Sequence, residues 1–183
     1  MSTPPADASL FLDSGAIDRI LRRIAHEIVE RHGDLGKIAL IGIPSRGVEV
    51  ARRIAAHIGQ AEGKPVETGV IDVSMHRDDL SLRNRIRPVV PSHLPQGIDR
   101  LTLILVDDVL YSGRTCRAAM DAITSFGRPA RIEYAALIDR GYRELPIQAD
   151  YIGKSIPTPP GGRVYVRFRA VDGIDDGVWV RNS

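Results

Sequence analysis

Residues 101–115 read LTLILVDDVLYSGRT. An almost unbroken apolar run opens the stretch, small hydroxyls and a glycine close it, and two adjacent carboxylates, Asp107 and Asp108, stand between. The run LTLILV has the length and composition of a strand buried on both faces, as in a parallel sheet. Beyond it, Ser112, Gly113 and Thr115 supply hydroxyls and a flexible backbone where a strand turns into a helix. Successive N–H groups there point at one anion, helped by the helix's partial positive charge. The same residues also read as a Ser-capped helix start with glycine easing the turn. A carboxylate about 6 Å from a phosphate, at an effective dielectric near 20, costs roughly 2 to 3 kcal/mol. Acids directly against a phosphate would therefore repel it. They become consistent with a phosphate loop when the ligand is a 5-phosphorylated ribose. Its phosphate would sit on residues 112–115 and its 2- and 3-hydroxyls on Asp107 and Asp108, with Mg²⁺ between the carboxylate, hydroxyl and phosphate oxygens.

Outward from this stretch, apolar strands alternate with helices. SGAIDRILRRIAHEIVER (14–31) places Ile17, Ile20, Leu21, Ile24 and Ile28 at helical spacing. KIALIGI (37–43) reads as a buried strand leading through PSRG (44–47) into the helical VEVARRIAAHIG (48–59), and TGVIDVS (68–74) as another strand. Residues 75–100 are polar and proline-containing, the length of a lid or binding loop. A helix is expected from about Ser112 to Phe126, then the strand RIEYAALI (131–138) and the short strands ADYIG, RVYVRF and GVWV. The pattern predicts an α/β fold with a mostly parallel sheet covered on both faces, its C-terminal strands forming an antiparallel edge or flap. Ligands of such sheets bind beyond the strands' carboxyl ends, which singles out loops 44–47, 75–100, 107–115 and 139–144.

Composition sets the outer bounds. With 183 residues, residues 1–183 are expected to form one domain, its first nine residues mobile. Twenty-five basic against 23 acidic residues leave a formal charge of +2, which permits nucleic acid without announcing it. Cys116 is the single cysteine, which rules out an intramolecular disulfide and multi-cysteine metal sites. There is no basic-then-apolar leader and no apolar stretch near the ~18 residues of a spanning helix, so a cytoplasmic protein without a membrane role is expected. Neither GxxxxGK[ST] nor GxGxxG occurs, which excludes the P-loop NTPase signature and the dinucleotide fingerprint.

LILVDDVLYSGRT is similar to the signature of the type I phosphoribosyltransferases, which use phosphoribosyl pyrophosphate (PRPP). RIAHEI (23–28), GIPSRG (42–47), RDDLS (77–81), GRP and IDRGYRELPIQADYIGKSIPT (138–158) extend the resemblance. They point to the branch that combines attenuation of pyrimidine operons with uracil phosphoribosyltransferase activity. The resemblance implies a five-stranded parallel core, a small hood over the base and a flexible lid at 75–100. It implies the reaction of uracil and PRPP to UMP and pyrophosphate, with Mg²⁺ held through PRPP and the ribose hydroxyls and no direct protein ligand assigned. Catalysis would rest on Asp107, Asp108 and Arg77. PRPP and UMP would lie on Ser45, Arg46, Asp107, Asp108, Val109, Leu110, Tyr111, Ser112, Gly113, Arg114 and Thr115. Ser45 and Arg46 suit pyrophosphate, as a tight turn with backbone N–H groups and a fork-shaped cation; alternatively Ser45 caps the following helix and Arg46 is solvated. In the lid, Asp78 and Asp79 either approach Mg²⁺ through water or order the loop. Related purine enzymes carry an aspartate facing the purine N7 where Tyr111 stands, so a pyrimidine is expected. Arg140 and Val164 are expected in the hood beside uracil.

The resemblance also implies a leader mRNA stem-loop as partner and a homodimer or higher homo-oligomer. Arg22, Arg23 and His26 share one helix sector and are the candidate RNA contacts. Some positions depart from the family's pattern. Tyr142 replaces a common His, Gln148 an Arg, His76 a Tyr, Pro44 a Lys, and Ser112 a Thr that keeps the hydroxyl. The first two remove basic groups from a segment the family uses for RNA.

Overall fold

The computed structural model describes residues 3–74 and 91–182. Five parallel strands form the central sheet in the order β3-β2-β4-β5-β6. They are β2 (Ile38–Gly42), β3 (Glu67–Val70), β4 (Thr102–Leu110), β5 (Arg131–Asp139) and β6 (Tyr151–Ser155). All five residues of β2 are buried, as a strand covered on both faces requires. Side chains alternate between two cores, following the period of two. Leu40, Ile104, Val106 and Leu137 pack with Ile17, Leu21, Ile24 and Ile28 of α1 (Ser14–Arg31) and Val50, Ile54 and Ile58 of α2 (Arg46–Glu62). Ala39, Ile41, Leu103, Leu105 and Ala136 pack with Ala118, Ala122 and Ile123 of α3 (Arg114–Ile123).

A second, antiparallel sheet has the order β1-β8-β7, from β1 (Ser9–Asp13), β7 (Arg163–Arg167) and β8 (Gly177–Arg181). The four-residue α4 (Arg169–Asp172) joins its last two strands. Asp13 ends β1 and caps α1, its carboxylate accepting the Ala16 N–H at 2.7 Å.

Four elements differ from the sequence expectation. β4 continues four residues past LTLILV, so Asp107 and Asp108 lie within the strand, paired to β5 with Asp107 opposite Ala136. α3 begins at Arg114 and ends at Ile123, followed by turns in which Ser125 N–H donates to the Ala122 carbonyl and Phe126 N–H to that of Ile123. The strand expected from ADYIG belongs to the parallel sheet as β6, not to the antiparallel flap, which among the described residues consists of the RVYVRF and GVWV strands and β1. β1 itself escaped notice because Leu10 and Phe11 are exposed and the strand gains its partner, β8, from the far end of the chain. Of the expected lid, residues 75–90 fall outside the described residues. The remainder carries a bridge between Val70 and His93 and a 3₁₀ turn over Ile98–Arg100.

At the amino-terminal end of β5, Glu133 is 1% exposed. Its carboxylate accepts from the Tyr151 hydroxyl at 2.7 Å, contacts His32 Nε2 at 2.9 Å and has Arg131 Nε at 3.0 Å. Burial opposes ionisation, but Tyr151, His32 and Arg31 outweigh it and hold the carboxyl below its ordinary range. A depressed folded pKa contributes stability above the unfolded value, lost as pH falls through the folded value. Glu133→Gln is therefore expected to cost about 3 kcal/mol in urea unfolding at pH 7, the lower end for breaking a buried pair. The gap between the two proteins should narrow as pH falls below about 4, near and under the ordinary carboxylate pKa.

Candidate functional site

Three segments meet at the carboxyl end of β4. The first is the strand end itself. Asp107 is 6% exposed, and its Oδ1 accepts the Asp108 N–H at 2.9 Å while Asp108 is half-buried. The Tyr134 hydroxyl lies 3.5 Å from Asp107 Oδ2. Burial first, and then the charge of Asp107, push the Tyr134 hydroxyl well up and the Cys116 thiol to about 12. Both remain protonated beside the carboxylate.

The second segment is the PSRG turn. Gly47 packs so closely on β4 that a Cβ there would lie 2.4 Å from the Val106 carbonyl oxygen and 3.1 Å from Asp107 Cα. This approach seats the start of α2 against the acids. Ser45 occupies the N-cap of α2, but its side chain makes no capping hydrogen bond, so the helix-cap alternative does not describe it. Arg46 is not solvated either. Its guanidinium makes two hydrogen bonds to Asp172 of α4, from Nε at 3.0 Å and from Nη2.

The third segment is the loop after β4. Gly113, with φ +91°, sits where a Cβ would be 3.2 Å from Ile147 Cβ and 3.4 Å from Leu145 Cβ, and its carbonyl accepts the Arg117 N–H. The Ser112 carbonyl accepts N–H groups from both Glu144 and Leu145 at 3.0 Å. Ser112 Oγ is 3.4 Å from the Arg114 N–H, and Arg114 Nε donates to Glu144 at 2.7 Å. Thr115 lies in the first turn of α3, half-buried. Val109 and Leu110 belong to β4 and pack into opposite cores, and the Leu110 carbonyl accepts the Arg140 N–H.

Sequence reasoning missed Arg143, which ties this loop to β5. Its Nη2 donates to Asp139 at 2.6 Å, Nη1 to the Tyr111 carbonyl at 3.0 Å and Nε to the Ile147 carbonyl at 2.9 Å. Against the opposing effect of burial, Arg143 and the Gly141 N–H hold the Asp139 carboxyl below its ordinary range. Only the loop-facing position of residue 143 hinted at this role.

Tyr111 and Arg140 come together. The Arg140 guanidinium lies over the Tyr111 ring, 4.0 Å from its centroid, and donates to Thr158 Oγ1 at 3.1 Å and to the Gly162 carbonyl at 2.8 Å. Such stacking contributes about 0.5 to 2 kcal/mol. Val164 follows two residues later, half-buried on β7. Arg77, Asp78 and Asp79 lie outside the described residues. Among the described residues, no three His, Cys, Asp or Glu side chains group as a metal site, and no helix is long and apolar enough to cross a membrane.

The three residues of the candidate RNA sector are all exposed, and its two arginines already carry partners within the chain. Arg22 pairs with Asp18 at 2.8 Å. Arg23 pairs with Glu27 and donates to the Ile152 and Gly153 carbonyls at 2.9 and 2.6 Å, covering the edge of β6. His26 is exposed.

A model of the phosphoribosyl transferase domain family matches residues 8–162. A protein of Chloroflexus aurantiacus named "Bifunctional protein PyrR" is 53% identical over 172 residues, 94% of each chain. The protein of the same name from Bacillus cereus strain AH820 is 49% identical, over 91% of this chain and 93% of its own. Among solved structures, a hypoxanthine-guanine phosphoribosyltransferase of Bacillus anthracis superimposes with a TM-score of 0.68 at 16% identity, covering 97% of this chain and 98% of its own. The Leishmania tarentolae enzyme in complex with GMP gives 0.68 at 18%, covering 98% and 100%. At such identities the structural likeness speaks for the fold alone.

Proposed function

Because the chain belongs to the phosphoribosyltransferase family, and within it to the bifunctional PyrR proteins, we propose that it makes UMP and pyrophosphate from uracil and PRPP. We propose equally that, with UMP bound, it regulates a pyrimidine operon by binding leader mRNA. The observation that carries the enzymatic reading is the meeting of Asp107 and Asp108 with two anion-suited turns, 44–47 and 112–115, at the end of one central strand. The acids accept hydrogen bonds from the ribose hydroxyls, and the Ser112–Thr115 turn receives the 5-phosphate at the start of α3. The 44–47 turn, which carries Ser45 and Arg46, takes the diphosphate. The C1–O bond to diphosphate breaks, the bond from C1 to uracil N1 forms and the N1 proton is lost. The centre has oxocarbenium character on the way, so departing charge must be neutralised and the base held in line. The oxygen-rich donor set of Asp107 and Asp108 with the ligand's own hydroxyls and phosphates suits Mg²⁺. When bound, that ion neutralises diphosphate charge.

Tyr111 supports uracil over a purine. Its ring, held under Arg140, fills the position from which related purine enzymes direct a carboxylate at N7, and uracil has no N7 to address. A base panel tests this. With PRPP and Mg²⁺, uracil is expected to be the preferred acceptor, and Tyr111→Asp should lower uracil turnover by about tenfold or more, the scale of one lost stacking and orienting contact. Guanine or hypoxanthine outcompeting uracil in the parent protein would overturn the assignment.

RNA binding is the second activity, resting on kinship with the bifunctional group. UMP should tighten binding to the leader stem-loop, and added salt should weaken it. His26→Ala is the cleaner probe, since Arg23 also braces β6. Binding indifferent to UMP and to His26→Ala would leave the transferase alone.

A further inference from the structure

Arg46 opens α2 beside the acids of β4, yet its guanidinium is turned across to the antiparallel sheet. Asp172, the last residue of α4, receives it in a two-pronged pair. The Asp172 side chain is 9% exposed and that of Arg46 26%. Arg167 of β7 brings a second guanidinium towards the same carboxylate, its Nε 3.8 Å from Asp172 Oδ1. Burial and the nearby charge of Arg46 hold Arg167 below its ordinary value, while Asp172 and Asp108 act in the other direction. Two guanidiniums thus converge on one carboxylate.

A bidentate carboxylate presents a guanidinium with the same oxygen geometry as a phosphoryl group. We propose that Asp172 is an internal stand-in for the diphosphate of PRPP: it holds Arg46 and competes with the incoming ligand for it. The proposal rests on the transferase reading above and deepens it. Asp172 is in this sense a positioning residue that sets diphosphate affinity and links it to the second sheet. Its Oδ2 also accepts the Phe168 N–H at 3.0 Å, so handing Arg46 over leaves the carboxylate with a partner and α4 with its local brace. The remaining contacts between α2 and the second sheet survive the exchange: Arg53 pairs with Asp176 and lies 4.7 Å from the Phe168 ring centroid.

The test measures binding of inorganic pyrophosphate with Mg²⁺, and of UMP, by calorimetry on the full chain. Asp172→Asn keeps the size and the acceptor for Phe168 but removes the competing charge. It should bind pyrophosphate about tenfold more tightly than the parent, with UMP affinity, which involves no diphosphate, unchanged. In an Arg46→Ala background the same substitution should bring no gain. A second readout needs no substitution: the Arg46 Nε–H resonance of the parent should shift on adding pyrophosphate and stay in place on adding UMP. Equal or weaker pyrophosphate binding by Asp172→Asn, a gain that persists without Arg46, or an unmoved Arg46 resonance would each overturn the proposal and show Asp172 to be a fixed strut. A parent protein that binds UMP and pyrophosphate while Asp172→Asn shows no gain leaves the transferase reading standing. A parent that binds neither removes both.

Discussion

Replacing Asp107 and Asp108 together by asparagine is expected to lower kcat/KM for PRPP about a thousandfold while the fold survives. Each carboxylate would accept a charge-assisted hydrogen bond from a ribose hydroxyl, worth about 1.5 to 3 kcal/mol. Losing two removes roughly 4 kcal/mol of transition-state stabilisation, which corresponds to about three powers of ten in rate. The structure explains why stability should hold. Asp107 Oδ1 accepts the Asp108 N–H, and Tyr134 lies on the donor side of Oδ2, so an asparagine oxygen can keep one of these contacts at nearly the same volume. UMP formation and thermal unfolding of the purified double variant are the measurements. Activity within a few-fold of the parent would sink the sugar-hydroxyl role of the two acids.

Gly47→Ala should be nearly as damaging for a geometric reason. Its φ is not of the left-handed kind that glycine alone tolerates; what forbids a side chain is the Val106 carbonyl oxygen, 2.4 Å from the position a Cβ would take. Backbone cannot yield as a flexible side chain would, so the start of α2 must move away from β4. Overpacking of this kind costs about 1 to 3 kcal/mol, and a displacement near 1 Å at a positioning element costs about a hundredfold in rate. The variant should therefore lose both stability in urea and kcat/KM for PRPP, with KM for PRPP rising. Gly33→Ala, where nothing lies within 4 Å of the new atom, is the matched control and should change neither. A Gly47→Ala protein that behaves like Gly33→Ala would mean that the contact between the PSRG turn and β4 is not needed for the site.

Much of the fold was legible because it is local. Ile17, Leu21, Ile24 and Ile28 recur at helical spacing and all are fully buried, and the apolar runs around Leu40, Leu103 and Ala135 became neighbouring parallel strands. Strand ends were less legible: β4 absorbs two charges because Asp107 pairs through its backbone with β5 and finds donors for its side chain, something hydropathy cannot register. The candidate site was legible as far as a contiguous signature reaches, from Asp107 to Thr115.

The sequence by itself determined the succession of strands and helices, the central place of the LTLILV strand and the chemistry of the acids and the small-residue turn after it. Periodicity and motif spacing are properties of neighbouring residues and need no knowledge of the rest of the chain. Only the tertiary structure decided that Arg46 rests on Asp172, 126 residues away, that Arg143 anchors the loop after β4 through backbone carbonyls, and that Arg23 covers a sheet edge. Which partner a charged side chain takes depends on desolvation and on the carboxylates or carbonyls that folding brings within about 3 Å, and distance along the chain carries no information about either.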